Sequence, residues 1–436
     1  MSPVSKLNKR VLFITPQPFL ANRGSPLRVK SEVEALLSLG YELDVLCLPF
    51  GDDLSNPGLR IYRSWKIPGA SEPTVGPSWQ KIVLDVPLTL KGILMGLSGS
   101  YDAIHGVEEA AFIAAIVGKI KKTPYVVDMH SLLPDQLQYS GFLCNKILLK
   151  FSYGIYNKCL RDSAGIIAVC KEVQEYAEKI APHVACAQLE DLPLDSSWDI
   201  DENIEAELRS KFNLQDTTNL VYTGNFSSYQ GIPLLLESFK LALEKLDNPE
   251  KARLILVGEN KEELLEQEKK RAHSLGISDK VIFTGELPSN TMGAVMSLAH
   301  ALVSPRSKGG NTPLKVYCYM ASLKPLVATA ISSHTQVLSD ESAYLAEAVP
   351  ELFSQAIANS LSKTPEAKLE KEAKAKKALS LLDSRFNKRV FTRSMAWLYE
   401  RVTQAPLPLP DWEHSLTSTP KSVLNESLNS HVLKRA

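Results

Sequence analysis

Short, fully apolar runs alternate with stretches of helical period through most of the chain. Arg10–Thr15, Leu43–Leu48, Ala103–His105, Tyr125–Met129 and Gly165–Cys170 read as strands. Helix-length segments separate them at Pro26–Leu39, Lys81–Leu97, Ala110–Ile120, Asn145–Arg161 and Glu172–Ile180. A run such as Val11-Leu12-Phe13-Ile14, apolar at every position, suits a strand covered on both faces. Strand, helix, strand in repetition predicts a parallel sheet, because parallel neighbours need a crossover connection. The acidic, aperiodic stretch Asp195–Asn203 then reads as a linker. Beyond it the alternation restarts, with strands at Leu220–Thr223, Arg253–Val257, Val281–Thr284, Ala301–Ser304 and Pro325–Thr329. Helices are predicted at Gly231–Leu246, Glu262–Leu275, Thr291–His300 and Pro313–Ser322. The expected class is α/β, with two doubly wound parallel-sheet domains in tandem. After Pro350 the chain is helical. Glu366–Lys377 alternates charge as a solvated face, and Arg385–Val402 is a second long helix. Residues 405–436 are Pro-rich, then Ser/Thr-rich, and read as an extended or partly disordered tail.

Composition changes this picture mainly by exclusion. The 436 residues, 44% hydrophobic and 22% charged, are enough for two cores. Lys plus Arg is 49 and Asp plus Glu is 49, so a generally basic nucleic-acid binder is excluded and no nucleic-acid partner is expected. The six cysteines form no CxxC pair and do not cluster with histidine, which leaves zinc and thiol-redox readings without support. A reducing, cytoplasmic location fits, since Met1 to Arg10 is polar and carries no secretory apolar core. The longest apolar stretch, Ile82–Leu97, is broken by Asp85, Pro87 and Lys91 and is too short and polar to span a bilayer. An ordinary core helix and a helix in peripheral membrane contact both remain open there.

In open parallel sheets, ligands bind beyond the carboxyl ends of the strands, where helix N-termini offer free amides. No GxGxxG, P-loop or GxSxG motif is present. The first strand leads to Gly24, where backbone could approach a phosphate that Arg23 or Arg28 would neutralise; a plain connecting loop is the alternative. The strand ending in Asp128-Met-His130-Ser131 puts His130 at the sheet edge, as a catalytic candidate or a structural histidine. The second half is richer. Gly224-Asn225 and Gln230-Gly231, Gly258-Glu259, and Gly285-Glu286-Leu287-Pro288 all follow strands. Pro305-Arg306-Ser307-Lys308-Gly309-Gly310-Asn311-Thr312-Pro313-Leu314-Lys315 follows another. Its glycines lead into a good N-cap and a preferred first helical residue, and Arg306, Lys308 and Lys315 would suit a diphosphate.

These residues, in this order, resemble a GT-B glycosyltransferase and are most similar to the family 4 type, which uses nucleotide sugars. The resemblance covers residues 10–400 and rests on Tyr222–Gly231, Leu256–Gly258 with Val281–Pro288, and Pro305–Thr329. It implies two Rossmann-like domains facing across a cleft: an acceptor domain at 1–198 and a nucleotide-sugar domain at 199–384. A helix at 385–404 would cross back onto the first. It also implies transfer of a sugar from a nucleotide-diphosphate donor to a hydroxyl acceptor (glycan, lipid-linked sugar or small molecule), with retention and no metal or other cofactor. Carried over residue by residue, Gly24 lies near the donor phosphates and His130 against the transferred sugar. Glu259 and the backbone at Leu287 meet the nucleoside, and Gly309, Gly310, Asn311 and Thr312 hold the distal phosphate. His105, Glu108 and Glu109 are weaker acceptor candidates, with helix capping or surface exposure the alternative for the two glutamates.

The departures from the family pattern matter as much. Where the family commonly grips the diphosphate with Arg and Lys, this chain has Asn225 and Gln230. The glutamate that commonly holds the ribose hydroxyls aligns with Cys318, which core burial would equally explain. Arg306, Lys308 and Lys315 are expected to replace the missing cations. The competing expectation is a GT-B binding or scaffold protein with weak or no catalysis; a sugar-nucleotide epimerase is the third.

Overall fold

The structure is a computed structural model that describes residues 9–21, 24–72, 78–139, 145–193, 200–259 and 261–404. The tail at 405–436, Arg23, Cys144 and most of the linker stretch fall outside the described residues. Seven strands form the first sheet: β1 (Arg10–Phe19), β2 (Glu42–Gly51), β3 (Leu59–Arg63), β4 (Ala103–Val107), β5 (Tyr125–Met129), β6 (Gly165–Ala168) and β7 (Cys186–Gln188). Their order is β3-β2-β1-β4-β5-β6-β7, and every pair is parallel. Six strands form the second: β8 (Thr218–Thr223), β9 (Ala252–Val257), β10 (Val281–Gly285), β11 (Ala301–Ser304), β12 (Leu326–Thr329) and β13 (Tyr344–Ala346). Their order is β10-β9-β8-β11-β12-β13, again all parallel.

The strand order itself points to the functional edges. In each sheet the chain begins in the middle, runs outward one way, then returns to the middle and runs the other way. The reversal falls between β1 and β4 in the first sheet and between β8 and β11 in the second. Loops leaving adjacent strands in opposite directions open a crevice at that point. These are the loops that carry Gly24 and Glu108 in one half, and Gly224 and Arg306–Asn311 in the other.

Apolar clusters cover both faces of both sheets. On one face of the first sheet lie the helices Trp79–Ser98, Ala110–Lys121, Lys146–Arg161 and Lys171–Ile180. On the other lie Gly24–Ser38 and, from the far end of the sequence, Lys388–Thr403. Phe391, Met395, Leu398, Tyr399 and Val402 of that last helix pack with Val11, Phe13 and Val126.

The differences from the sequence reading are local. The strands β3, β7 and β13 were not anticipated; all three are sheet edges, and β7 and β13 are only three residues long. The three-residue strands are too short to show a period, and β3 places two arginines in five residues. The helix Glu202–Lys211 begins inside the stretch read as a linker. The Asp201 carboxylate accepts from the amides of Asn203 and Ile204, so one acid of that stretch is a helix cap.

Candidate active site

The first half builds its site around a fixed arginine. Arg28 follows Gly24 by one helical turn and is buried. Its Nε lies 2.9 Å from Glu32, one turn further on. Its Nη1 lies 3.1 Å from Asp191 and donates to the Leu189 carbonyl at 2.7 Å, and its Nη2 lies 3.8 Å from Asp128. Asp128, at the carboxyl end of β5, also accepts from His130 Nε2 at 3.0 Å and from His105 Nε2 at 3.4 Å. The Tyr399 hydroxyl lies 2.8 Å from the other His105 nitrogen, so the last helix orients that ring.

Charges in this cluster settle by mutual neutralisation. The two histidines and Arg28 hold the Asp128 carboxyl well below the usual range, against its desolvation. Desolvation and the neighbouring Asp128 hold the Glu32 carboxyl well above it. Burial also lowers the pKa of His105, which stays neutral.

The second half is arranged differently. The Arg306 guanidinium folds back on its own loop, donating to the Lys308 carbonyl at 2.7 Å and to the Asn311 carbonyl and side chain at 2.9 and 3.1 Å. A Cβ on Gly309, whose φ is +117°, would collide with that guanidinium, so only glycine fits there. Thr329 donates to the Arg306 carbonyl, and His334 ties Thr329 to Ser304 beneath the loop. Burial pushes His334 down to about 4, which keeps the ring neutral as a buttress. Gln336 donates to the Gly310 carbonyl at 2.9 Å and to the Thr312 hydroxyl at 3.0 Å.

Lys315 enters the same crevice from the first turn of the helix Leu314–Ala321. Its ammonium donates to Gln230 at 3.1 Å and sits 3.8 Å from the Tyr222 ring centroid. It would lie 2.7 Å from a Cβ on Gly224. Among the described residues no carboxylate forms an ion pair with it. Desolvation and the nearby Arg306 push its pKa well below the usual lysine range.

The halves meet at several points. Cys170 donates to the Gly310 carbonyl at 3.6 Å, and Ser332 donates to Glu172 at 3.4 Å. The Tyr317 hydroxyl donates to Glu190 at 2.6 Å, while the next residue, Asp191, pairs with Arg28. Consecutive residues thus tie the second half to the core of the first.

Comparison with known proteins agrees with this geometry. Residues 204–378 match the family described as Glycosyl transferases group 1, and residues 23–184 match the Glycosyl transferase 4-like domain. The chain belongs to the family 4 type of GT-B glycosyltransferases. No curated protein matches it. Among solved structures it is similar to sucrose-phosphate synthase from Thermosynechococcus elongatus, with TM-score 0.69 at 17% identity over 91% of this chain and 99% of that one. It is also similar to Anabaena HepE in complex with UDP and glucose, with TM-score 0.67 at 13% identity over 90% and 99%. A glycosyltransferase from Rickettsia africae gives TM-score 0.64 at 13% identity over 91% and 99%.

Within this glycosyltransferase, the expected site residues separate into those at the crevices and those consumed elsewhere. Gly224, Asn225, Gln230, Lys315 and the loop of exposed Lys308 with Gly309 and Gly310 share one strand edge. Gly24 opens the first-half helix with open space around it, and His130 stands at the end of β5 with a buried, unpartnered Nδ1. Arg28 is corrected from a phosphate ligand to the centre of a buried ion network, and Arg306 from a free cation to the clasp of its own loop. His105 is no acceptor contact: it is fully buried, stacked on Phe13 at 4.1 Å. Glu109 is ion-paired with Lys81 and precedes the helix Ala110–Lys121. Glu108 is buried and accepts from Ser131 at 3.0 Å. Glu259 accepts from the amides of Phe226 and Lys261, which makes its carboxylate a loop staple. Cys318 lies in the core of the second half. Leu287 packs at the edge of the same core, in the turn after β10. Thr312 is buried and held by Gln336. Sequence reasoning missed Glu32 and His334. Only the four-residue spacing from Arg28 signalled Glu32, and nothing signalled His334.

Proposed function

We propose that the enzyme transfers a glycosyl group from a nucleotide-diphosphate sugar to a hydroxyl acceptor, with retention and without a metal. The observation that carries this reading is Lys315. A partly buried ammonium with no carboxylate partner among the described residues, beside the Gly224 turn and the Arg306 that clasps the glycine loop, is complementary to a dianionic leaving group. It reaches, from the opposite side, the turn where the family commonly places Arg and Lys and this chain has Asn225 and Gln230. The lost cation is thereby replaced from another element. The departing diphosphate would be stabilised by this charge and by loop amides fixed in place before the reaction, which is how leaving-group charge is met without a metal. The neighbours solved with UDP and with UDP and glucose support a uridine donor as the first to try. His130, oriented by Asp128, faces the transferred sugar, and the acceptor enters beside Glu108 and Ser131.

The test is calorimetry and thermal shift with a panel of nucleotide sugars, followed by product analysis in the presence of EDTA. The expected result is donor-dependent stabilisation, with donor hydrolysis or transfer that survives the chelator. No shift and no turnover with any donor overturns the proposal, and binding without turnover leaves only the scaffold reading.

A further inference from the structure

The apolar surface of this protein is concentrated on one face. The described residues include seventeen large hydrophobic side chains that are exposed, and twelve of them lie on three helices: six on Trp79–Ser98, two on Ala110–Lys121 and four on Lys146–Arg161. These helices lie side by side on the same face of the first sheet. The first two approach so closely that a Cβ on Gly96 would stand 2.6 Å from Val117, and Phe112 meets Tyr156 of the third edge-on.

Each helix repeats the same outward pattern. Ile82, Val86, Leu90 and Leu94 recur every four residues, as do Ile116 and Ile120, and Ile147, Phe151 and Ile155. One stripe of each helix faces the core and a second apolar stripe faces out. Exposure reaches 75% at Trp79, 79% at Ile147 and 66% at Phe151, so these are not side chains half-covered by neighbours.

Charge on the same helices is one-sided although the whole chain is neutral. Their sequences hold two, two and four basic residues against a single acid, Asp85. Lys81 and Lys158 pair with Glu109 and Asp162 just beyond the helix ends. Lys119, Lys121, Lys146 and Lys150 are exposed and have no carboxylate partner among the described residues. Aliphatic stripes flanked by lysines, whose stems lie along apolar surface while their ammonium groups reach outward, match a headgroup–acyl boundary. A protein partner would call for the opposite composition, because lysine is depleted at the centre of protein interfaces. No described helix is long and apolar enough to cross a membrane, which leaves a surface that lies on one.

We propose that this three-helix face seats the enzyme on an anionic lipid bilayer, with the outward stripes at the acyl boundary and the lysines at the headgroups. The helices run back from the carboxyl edge of the sheet, so Trp79 and Ile147, at their N-terminal ends, would bring the bilayer close to the side where the acceptor enters. The proposal does not depend on which sugar is transferred or on turnover.

The test is co-sedimentation of the full chain with phosphatidylcholine vesicles, with and without a phosphatidylglycerol fraction of about one third. Binding to the anionic vesicles is expected to be on the order of tenfold stronger or more, and to weaken with salt. I147E/F151E and K146E/K150E should each lose it by a similar factor while keeping the melting temperature, since all four side chains are exposed. L369E, an equally exposed leucine on the helix Pro365–Arg385 of the other half, should leave it unchanged. Absent or equal binding to the two vesicle types overturns the proposal, as does loss caused by L369E. A dimer in lipid-free buffer that I147E/F151E dissolves would also overturn it, assigning the face to a second copy of the chain.

Discussion

The two crevices of this glycosyltransferase handle buried charge in opposite ways. In the first half, Arg28 is surrounded by Glu32, Asp128 and Asp191, and the histidines complete Asp128. That network is internally paired: Arg28 lies against three carboxyl groups, and Asp128 fixes where His130 stands. In the second half, Lys315 has an amide and an aromatic ring for company and, among the described residues, no anion. A closed network is a scaffold, whereas an open one is a binding site awaiting its counter-charge. The difference separates groups that shape the site from the group that recognises the donor.

The largest break comes from opening the closed network. Arg28→Met strands three carboxyl groups around an apolar stem, and breaking a buried ion network of this kind costs about 3–5 kcal/mol. Urea denaturation should show that loss, while the folded fraction keeps its donor affinity. Closing the open side is the next largest effect. Lys315→Ala should weaken donor binding by roughly 10–100-fold in calorimetry, the usual range for a charge-assisted contact, without lowering the melting temperature. Because the Lys315 pKa is depressed, wild-type donor affinity should fall as pH rises and binding should take up a proton. Both signatures should vanish in the variant. A K315A protein that binds donor normally would erase the contrast between the halves.

Smaller effects sharpen the comparison at its seam. Tyr317→Phe removes the donor to Glu190 and should cost about 1–2 kcal/mol, read as a lower melting temperature. The pH dependence of the closed network has a definite sign. Glu32 has a folded pKa above its unfolded value of about 4.3, so its contribution is complete below that value and is lost as pH rises through the folded pKa. Asp128, depressed, contributes above its unfolded value of about 3.9 and loses that contribution as pH falls through the folded pKa. Glu32→Gln should therefore flatten the alkaline side of the stability profile in denaturant titrations and leave the acidic side. A variant that loses the acidic side instead would reverse the protonation assigned to the pair.

What the sequence revealed follows the same physical divide. Central strands were legible because burial on both faces demands unbroken apolar runs, as at Val11–Ile14. Edge strands such as Leu59–Arg63, with two arginines in five residues and one bare side, look like loops. At the site, Lys315 stood out as a basic residue just past a glycine loop, where backbone chemistry already suggested an anion. Arg28 and Glu32 gave the opposite impression, since an Arg and a Glu four apart on a helix usually form an exposed pair. Their burial comes from Asp128 and Asp191, a hundred or more positions away, and nothing local encodes it. The same blindness sent Glu259 and Arg306 to the donor, because a side chain that folds back onto its own loop is spelled like one that reaches outward.

The last helix also sets a schedule. The Tyr41 hydroxyl meets Thr403 across 362 positions of sequence, and His105 meets Tyr399 across 294. During synthesis, β1–β7 emerge long before the helix that covers one face of their sheet. At about 5–20 residues per second, that face would wait on the order of ten to forty seconds for its cover. Val11, Phe13 and Val126 stay partly open to solvent, or to a chaperone, for that interval. A ribosome that stalls before residue 388 releases a first half with one wall missing, while the second half is already complete.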